Sequence, residues 1–445
     1  MRPATYKPLV DRYAVAIRNG ELPAGTRLPT HRALAAEHRI ALATASRVYA
    51  ELAGMGLVTG ELGRGTFVRD QHGHDGLEPD RRLPVPRVAD LSFNQPLAAD
   101  QANQLRQALR ELSSSGNLEA LLYQQPPGGR ERDRAAVATH LLDRTIDVPP
   151  DRVLLTNGAQ QALDAVLTAT TGPGDIVAAD ALTYPGLKLL AAARSLEIAP
   201  VASTAAGPDL EALDRLCSTR PVRAIYTVPT VHNPLGWTLD RQTRDGLVGI
   251  ARAHDALIVE DGTYAFLDED APSPIQLLAP ERTFYIASFS KNVATGLRLG
   301  FVVAPEQHAR ALTSALRAGT WGSPGIVAAL VTGWLADGTI TRLEKDRRRD
   351  ARTRQEIARA ALDGLDYTAH PTSFFGWLSL PAELRADRAA TRLAEEGILV
   401  STADAFATVT HPPQGLRLAL AAQPLDTLAE TLGQLQATLT SMPWG

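Results

Sequence analysis

Cysteine is almost missing from this sequence: Cys217 stands alone, so no intrachain disulfide can form and no cysteine-rich metal site can be built. Lysine is nearly as scarce, occurring only at Lys7, Lys188, Lys291 and Lys345, which leaves 45 − 4 = 41 basic positions to arginine. Long apolar runs are absent too. The longest uncharged stretch, Ala318 to Ala336, is broken by Gly319, Gly322, Ser323, Pro324 and Gly325, so no membrane span is expected. Charges at Lys7 and Asp11 interrupt any apolar region of the signal-peptide kind, so a cytoplasmic location is expected rather than export.

What is present fits a globular protein. Hydrophobic residues at 44% and charged residues at 21% are enough for a large core and exclude a disordered, collagen-like or rod-like chain. The length of 445 residues suggests roughly two or three domains. Charge is unevenly divided. Residues 1–70 hold ten Lys or Arg against six Asp or Glu, 10 − 6 = +4, and the whole chain is −4, so residues 71–445 carry −4 − 4 = −8. A basic N-terminal module on an acidic body suits a nucleic-acid reader attached to something else.

Residues 71–90, QHGHDGLEPDRRLPVPRVAD, mix Pro, Gly and charges without apolar periodicity and are read as a linker. Before it, Tyr6 to Asn19, His31 to Glu37 and Thr44 to Gly54 have helical spacing, and Leu57 to Val68 alternates like a hairpin around Gly60, Gly63 and Gly65. After it, residues 91–445 place short apolar runs between amphipathic helices: Val153 to Leu155, Ile176 to Ala179, Ala224 to Val228, Leu257 to Val259 and Phe284 to Ala287. That alternation predicts an α/β fold with a mostly parallel sheet covered on both faces. From Thr339 a long charged helix and a few strands predict a smaller α+β subdomain, residues 339–445.

In the first module the turn falls near His38 to Leu42. The helix after it turns Thr44, Ser46 and Arg47 outward and leaves Val48, Leu52 and Met55 for packing, as a recognition helix must. Gly63, Arg64 and Gly65 form a tight tip where an arginine can reach the DNA backbone or minor groove. The stretch GELPAGTRLPTHRALAAEHRIALATASRVYAELAGMGLVTGELGRGTFV resembles the winged helix-turn-helix of the GntR regulators over nearly its full length. The resemblance implies that Arg32 and Arg47 contact phosphates or bases, that Thr44 and Ser46 act from the recognition helix, and that Arg64 and Thr66 act from the wing. His31 and Ala43 depart from the usual residues.

The second module carries cofactor chemistry. Ser288-Phe289-Ser290-Lys291 follows the apolar run FYIA, so one of the chain's few lysines sits just past a strand end, where a Schiff-base lysine is usefully held. Arg298, seven residues on and flanked by Gly296 and Gly300, can clamp a phosphate. Asp261 and Tyr264 end another strand. They suit a pyridoxal ring, which needs an anion at its nitrogen and a donor near its oxygen, although Asp261 equally suits a helix N-cap. Asn233 is a second candidate donor or simply part of an Asn-Pro turn. Thr156 to Gln160 joins a strand to a helix, so the amides of Gly158, Ala159 and Gln160 can face an anion.

In order and spacing these pieces resemble the fold-type I pyridoxal 5'-phosphate enzymes of the aspartate aminotransferase family, from about Leu91 to the C-terminus. The resemblance implies that Lys291 forms the internal aldimine and that Asp261 pairs with the pyridine nitrogen. It implies that Asn233 and Tyr264 hold the ring oxygen, and that Ser288, Ser290, Arg298 and the Gly158, Ala159 and Gln160 amides hold the phosphate. Tyr184 would stack on the ring, Tyr123 would reach the phosphate of a neighbouring subunit in a homodimer, and Arg417 would grip a substrate α-carboxylate. Leu182 and Leu235 depart from the family pattern.

The two halves together resemble the MocR regulators. The implied function is transcription control at a double-stranded DNA operator, in which an amino compound or pyridoxal phosphate itself acts through Lys291. A working aminotransferase acting on an α-amino acid is the alternative, since Lys291, Asp261 and Arg417 are all present.

Overall fold

The computed structural model describes residues 6–19, 21–23, 26–55, 57–61, 65–68, 88–96, 100–114, 118–381 and 383–442. The N-terminal module has helices α1 (Lys7–Arg18), α2 (His31–His38) and α3 (Leu42–Gly54), then the antiparallel strands β1 (Val58–Glu61) and β2 (Gly65–Val68). Thr30 caps α2 by accepting the Ala33 amide at 3.2 Å, and Arg39, left-handed at φ 52°, ends it. The expected turn is therefore where it was placed. Val48, Leu52 and Met55 face inward as their spacing requires and close a core with Leu34, Ala45 and Ile17. Arg64, in the wing tip, and residues 71–87 of the expected linker lie outside the described residues.

The end of that linker needs correction. Ala89–Asp90 form a strand, β3, parallel to Ile398–Leu399, with Ala89 and Leu91 donating to the carbonyls of Gly397 and Leu399 at 2.8 Å. Leu91 is buried in the core of the small subdomain. A two-residue strand has no period to detect, and its pairing partner lies far away in sequence.

The body is built on a seven-stranded sheet. Its strands are β4 (Val153–Thr156), β5 (Ile176–Asp180), β6 (Glu197–Val201), β7 (Val222–Thr227), β8 (Leu257–Asp261), β9 (Thr283–Ser288) and β10 (Gly300–Val303). The spatial order is β4-β10-β9-β8-β7-β5-β6, and β10 alone runs against its neighbours. Every residue of β4, β5, β8, β9 and β10 is buried, because helices cover both faces. β6 and β10 were not read from the sequence: β6 is a half-exposed edge strand, and β10 was read only for the glycines near Arg298. Helices α4 (Ala159–Thr170) and α5 (Pro185–Ala193) follow β4 and β5.

The smaller subdomain begins with the long helix α6 (Thr339–Ala361). Strands β11 (Tyr367–Thr368), β12 (Phe375–Ser379), β13 (Ile398–Leu399), β14 (Ser401–Thr402) and β15 (Gly415–Ala419) follow, with helices α7 (Ala386–Glu395) and α8 (Leu425–Ser441). β11, β12, β15 and β14 form an antiparallel sheet in that order, while β13 pairs with β3. Among the described residues no single helix is long and apolar enough to cross a membrane.

The reader's core shares no residue with the cores beneath the large sheet. Leu52→Ala should therefore open a cavity in the reader alone, at a cost of about 2–5 kcal/mol. Scanning calorimetry should show one transition fall in temperature while the body's transition stays in place; a joint shift of both would contradict independent cores.

Candidate functional site

Parallel strands bring their C-terminal ends to one rim, which is where α/β sheets bind ligands. β8 ends there in Asp261, β9 in Ser288, and β4 in Thr156 before Asn157 and Gly158. Lys291, half-buried three residues past β9, donates from Nζ to the Asn94 carbonyl at 2.7 Å and lies 4.7 Å from the Phe93 ring centre. Asn94 and Phe93 were not read from the sequence. They lie in a segment with no motif and meet Lys291 only through the fold.

Asp261 is deeply buried, and among the described residues no cationic side chain forms an ion pair with it. Burial raises its carboxyl from the ordinary value, while donors at Thr263 and Tyr226 pull it back. The Thr263 amide meets one oxygen at 2.9 Å and the Tyr226 hydroxyl the other at 2.8 Å. Asp261 caps no helix: the short turn Ala265–Leu267 starts at Tyr264 without a side-chain cap. Tyr264 is buried edge-on to Phe375, with ring centres 5.0 Å apart. Glu260, the adjacent residue on the strand, has a different setting. It accepts the amides of Ile275 and Gln276 at 3.1 and 2.8 Å, near Arg244, and burial pushes its carboxyl up to about 7.

Asn233 is buried, and among the described residues its Oδ1 has no hydrogen-bond partner. Its neighbour His232, also buried, packs tilted against Trp237, ring centres 4.3 Å apart, and lies 3.4 Å from Asp180. On the other side of the rim, Gly158 starts α4 at φ 91°. The amides of Ala159 and Gln160 fall in the first turn, where no intrahelical acceptor exists for them, so they are available to an anion. Arg298 donates to the Asn157 carbonyl at 3.1 Å, and a Cβ at position 158 would sit 2.9 Å from its Nη2. Ser288 and Ser290 are buried, and among the described residues the Ser290 Oγ has no hydrogen-bond partner. Tyr184 stands at the start of α5, tied to the cradle through Gln160, which donates to the Gly186 carbonyl at 3.1 Å. Gly186 admits no side chain: a Cβ would lie 2.1 Å from Gln160 Oε1 and 2.3 Å from Tyr184 Cε1.

A pyridoxal phosphate fits this donor set. The orphaned Ser290 hydroxyl and the amides at the start of α4 offer hydrogen bonds to a phosphate, and a buried carboxylate without a cation suits a ring N–H. Among the described residues no group of three or more His, Cys, Asp or Glu is placed to hold a metal.

Arg417 is fully buried on β15, an interior strand rather than an edge. Its Nη2 donates to the Ser92 carbonyl and, at 3.4 Å, to the Ser401 hydroxyl, and its guanidinium lies 5.2 Å from the Phe406 ring centre. Residues 92–94 therefore touch both Arg417 and Lys291. Tyr123 is 74% exposed, open to a contact from outside the protomer.

In the reader, Arg32 and Arg47 are exposed and Thr44, Ser46 and Thr66 half-buried. Arg47 also stacks 4.5 Å from the Tyr6 ring centre. Ser46 hydrogen-bonds His31 Nδ1 at 3.0 Å, and His31 stacks on Tyr49, so the histidine that departs from the family pattern braces a recognition-helix side chain.

Gly158→Ala should strain the backbone and displace Arg298. Titration with pyridoxal phosphate, followed by absorbance, should show affinity reduced about tenfold, the loss of roughly one charged hydrogen bond. Gly249→Ala, where a Cβ meets nothing within 4 Å, should leave affinity unchanged.

Comparison with known proteins agrees with both halves. Residues 86–435 match aminotransferase class I and II, and residues 5–68 match the gntR family of bacterial regulatory proteins. The uncharacterized HTH-type transcriptional regulator YdeF of Bacillus subtilis is 26% identical, over 98% of this chain and 95% of its own. The HTH-type pyridoxine biosynthesis transcriptional regulator PdxR of Corynebacterium glutamicum is 27% identical, over 96% of this chain and 94% of its own. The crystal structure of the alpha-aminoadipate aminotransferase LysN of Thermus thermophilus, complexed with N-(5'-phosphopyridoxyl)-L-leucine, superimposes with a TM-score of 0.73 at 27% identity, covering 80% of this chain and 92% of that one. The chain belongs to the class I and II aminotransferases, and with its gntR-type reader it has the architecture of the MocR-type regulators, with pyridoxal phosphate as the cofactor implied for its body.

Proposed function

We propose that this protein is a cytoplasmic, homodimeric transcription regulator that binds an operator through its reader and sets the reader's position by what is held at Lys291. The observation that carries this reading is the contact between the two modules. Arg385, just before α7, lies 2.7 Å from Asp11 on α1, and Arg388 lies 3.2 Å from Glu51 on the recognition helix α3. The reader thus rests on the small subdomain, the part of the body that carries Arg417. Surface ion pairs contribute about 0.2–1 kcal/mol each, the scale of an allosteric bias of about 1–3 kcal/mol.

Pyridoxal phosphate supplies an aldehyde that exchanges one amine for another and a ring that withdraws electron density. Lys291 is its covalent anchor, and Asp261 holds the proton on the ring nitrogen. Asn233 and Tyr264 hold the ring oxygen, and Tyr184 stacks on the ring. Ser288, Ser290, Arg298 and the Gly158, Ala159 and Gln160 amides hold the phosphate, with Tyr123 completing the site of the second protomer. An amino acid would bring its amine to the aldehyde carbon that Lys291 anchors and its carboxylate to Arg417. The carboxylate would compete with the Ser92 carbonyl for the guanidinium, and an incoming amine would compete for the place of the Lys291 amine, which meets Asn94 and Phe93. Both changes act on residues 92–94, which continue from β3 and its pairing with the small subdomain, so ligand exchange bears on the surface where the reader rests. In the reader, Arg32, Thr44, Ser46, Arg47, Arg64 and Thr66 contact the DNA. A relative of the same architecture is named as a transcriptional regulator of pyridoxine biosynthesis, which supports the regulatory reading.

The test is binding of the full chain to DNA upstream of its own gene at low salt, with cofactor alone and with cofactor plus a panel of amino acids. The expected result is affinity that changes several-fold with ligand in the wild type and not in Lys291→Ala; no DNA binding at all would end the regulatory reading. A response to cofactor alone identifies the cofactor as effector. Steady release of 2-oxo acid with a second substrate would instead support a working aminotransferase, for which the buried Arg417 also suits. Arg385→Glu with Arg388→Glu should keep cofactor absorbance and DNA binding but remove the response to ligand, measured by anisotropy on the same DNA.

A further inference from the structure

We propose that Tyr226 is a positioning residue for the cofactor ring, acting through Asp261: its hydroxyl holds the carboxylate in the orientation and ionised form that a ring N–H requires. The inference rests on the reading of this site as a pyridoxal phosphate site, and not on regulation.

Tyr226 lies in the run AIYTV and reads from sequence as ordinary core. The fold gives it another setting. β7 and β8 are parallel, with Tyr226 opposite Val259. Alternate residues share a face, so Val259 and Asp261 point to the same side as Tyr226, and a side chain as long as tyrosine reaches the residue two places along the neighbouring strand. The reach is seen as the 2.8 Å hydrogen bond from the Tyr226 hydroxyl to Asp261, between side chains on residues 1% and 5% exposed. The Thr263 amide takes the other carboxylate oxygen, so Thr263 approaches the carboxylate from its own chain segment and Tyr226 from the neighbouring strand.

Burial works against Asp261, because low polarity favours its neutral form. A neutral carboxyl would not hold a positive ring nitrogen. A hydroxyl donor favours the ionised form, and burial raises the Tyr226 phenol well above its ordinary range, so it remains a donor. Among the described residues no cationic side chain forms an ion pair with Asp261. Tyr184 and Asp180 bear on Tyr226, and Glu260 and Tyr285 interact with Asp261; His232 is turned to Asp180.

The test uses the full chain and pyridoxal phosphate as probe, with affinity read from visible absorbance between acid and neutral pH. Tyr226→Phe keeps the ring and removes the hydroxyl. Affinity should fall about tenfold at neutral pH, and the acid limb of the binding profile should move to higher pH by about one unit, because Asp261 is then protonated more easily. In an Asp261→Asn background the same change should have no further effect. An unchanged affinity, an equal loss at every pH, or an equal loss in the Asp261→Asn background would each overturn the proposal, the last two assigning Tyr226 to packing. Unchanged thermal unfolding of the cofactor-free variant is expected alongside. A wild type that binds no pyridoxal phosphate would overturn the cofactor reading itself, and this inference with it.

Discussion

Asp261 is a carboxylate buried at the end of a central strand, with no ion pair to a cation among the described residues, and the arrangement of the site follows from that constraint. A buried charge is costly unless hydrogen bonds and an opposite charge offset it. Among the described residues the protein meets it with donors, from Tyr226 and Thr263. A ligand's protonated ring nitrogen is a positive charge of the kind that suits it. The neighbouring Glu260 makes the contrast plain, since its opposite charge is the protein's own Arg244, and it serves as a structural anchor.

From that point the ligand's other contacts are set by the sheet. Strands running in parallel deliver Lys291, the α4 amides and Asp261 to one rim, and no short-range feature of the chain could have brought these segments together. The small subdomain then reaches the same rim through residues 92–94. One end of this segment accepts from Arg417 and the other from Lys291, while β3 just before it is a strand of the small subdomain. Arg417, Lys291 and the small subdomain on which the reader rests are thus joined by a few residues of continuous backbone. In the proposed function that continuity, with the two ion pairs at Arg385 and Arg388, would couple ligand to DNA binding.

Much of this was legible before any coordinates. Three helices followed from the apolar spacing of Tyr6 to Asn19, His31 to Glu37 and Thr44 to Gly54, because an amphipathic helix declares its buried face every three or four residues, and the wing followed from the alternation of Leu57 to Val68. The parallel sheet followed from short runs too apolar to face water. Lys291 stood out as one of four lysines, just past an apolar run, Arg298 for its flanking glycines, Asp261 as a carboxylate ending a strand, and Gly158 for its place in a strand-to-helix turn. Other contributors left no such trace. Tyr226 is indistinguishable from core in the sequence, Ser92 to Asn94 belong to no motif, β3 is too short to have a period, and the bracing of Ser46 by His31 joins residues on two different helices.

By itself, then, the sequence determined what is local: which segments form helices or strands, where charge and glycine punctuate them, and which residue types can do cofactor and DNA chemistry. Only the tertiary structure decided what is mutual. It set Tyr226 against Asp261 through strand register, placed Arg417 on an interior strand rather than an edge, and brought Arg388 to the recognition helix. The reason is physical. Periodicity and propensity act over a few residues, whereas the pairing of a buried charge depends on groups that the chain separates by tens or hundreds of positions and only packing reunites.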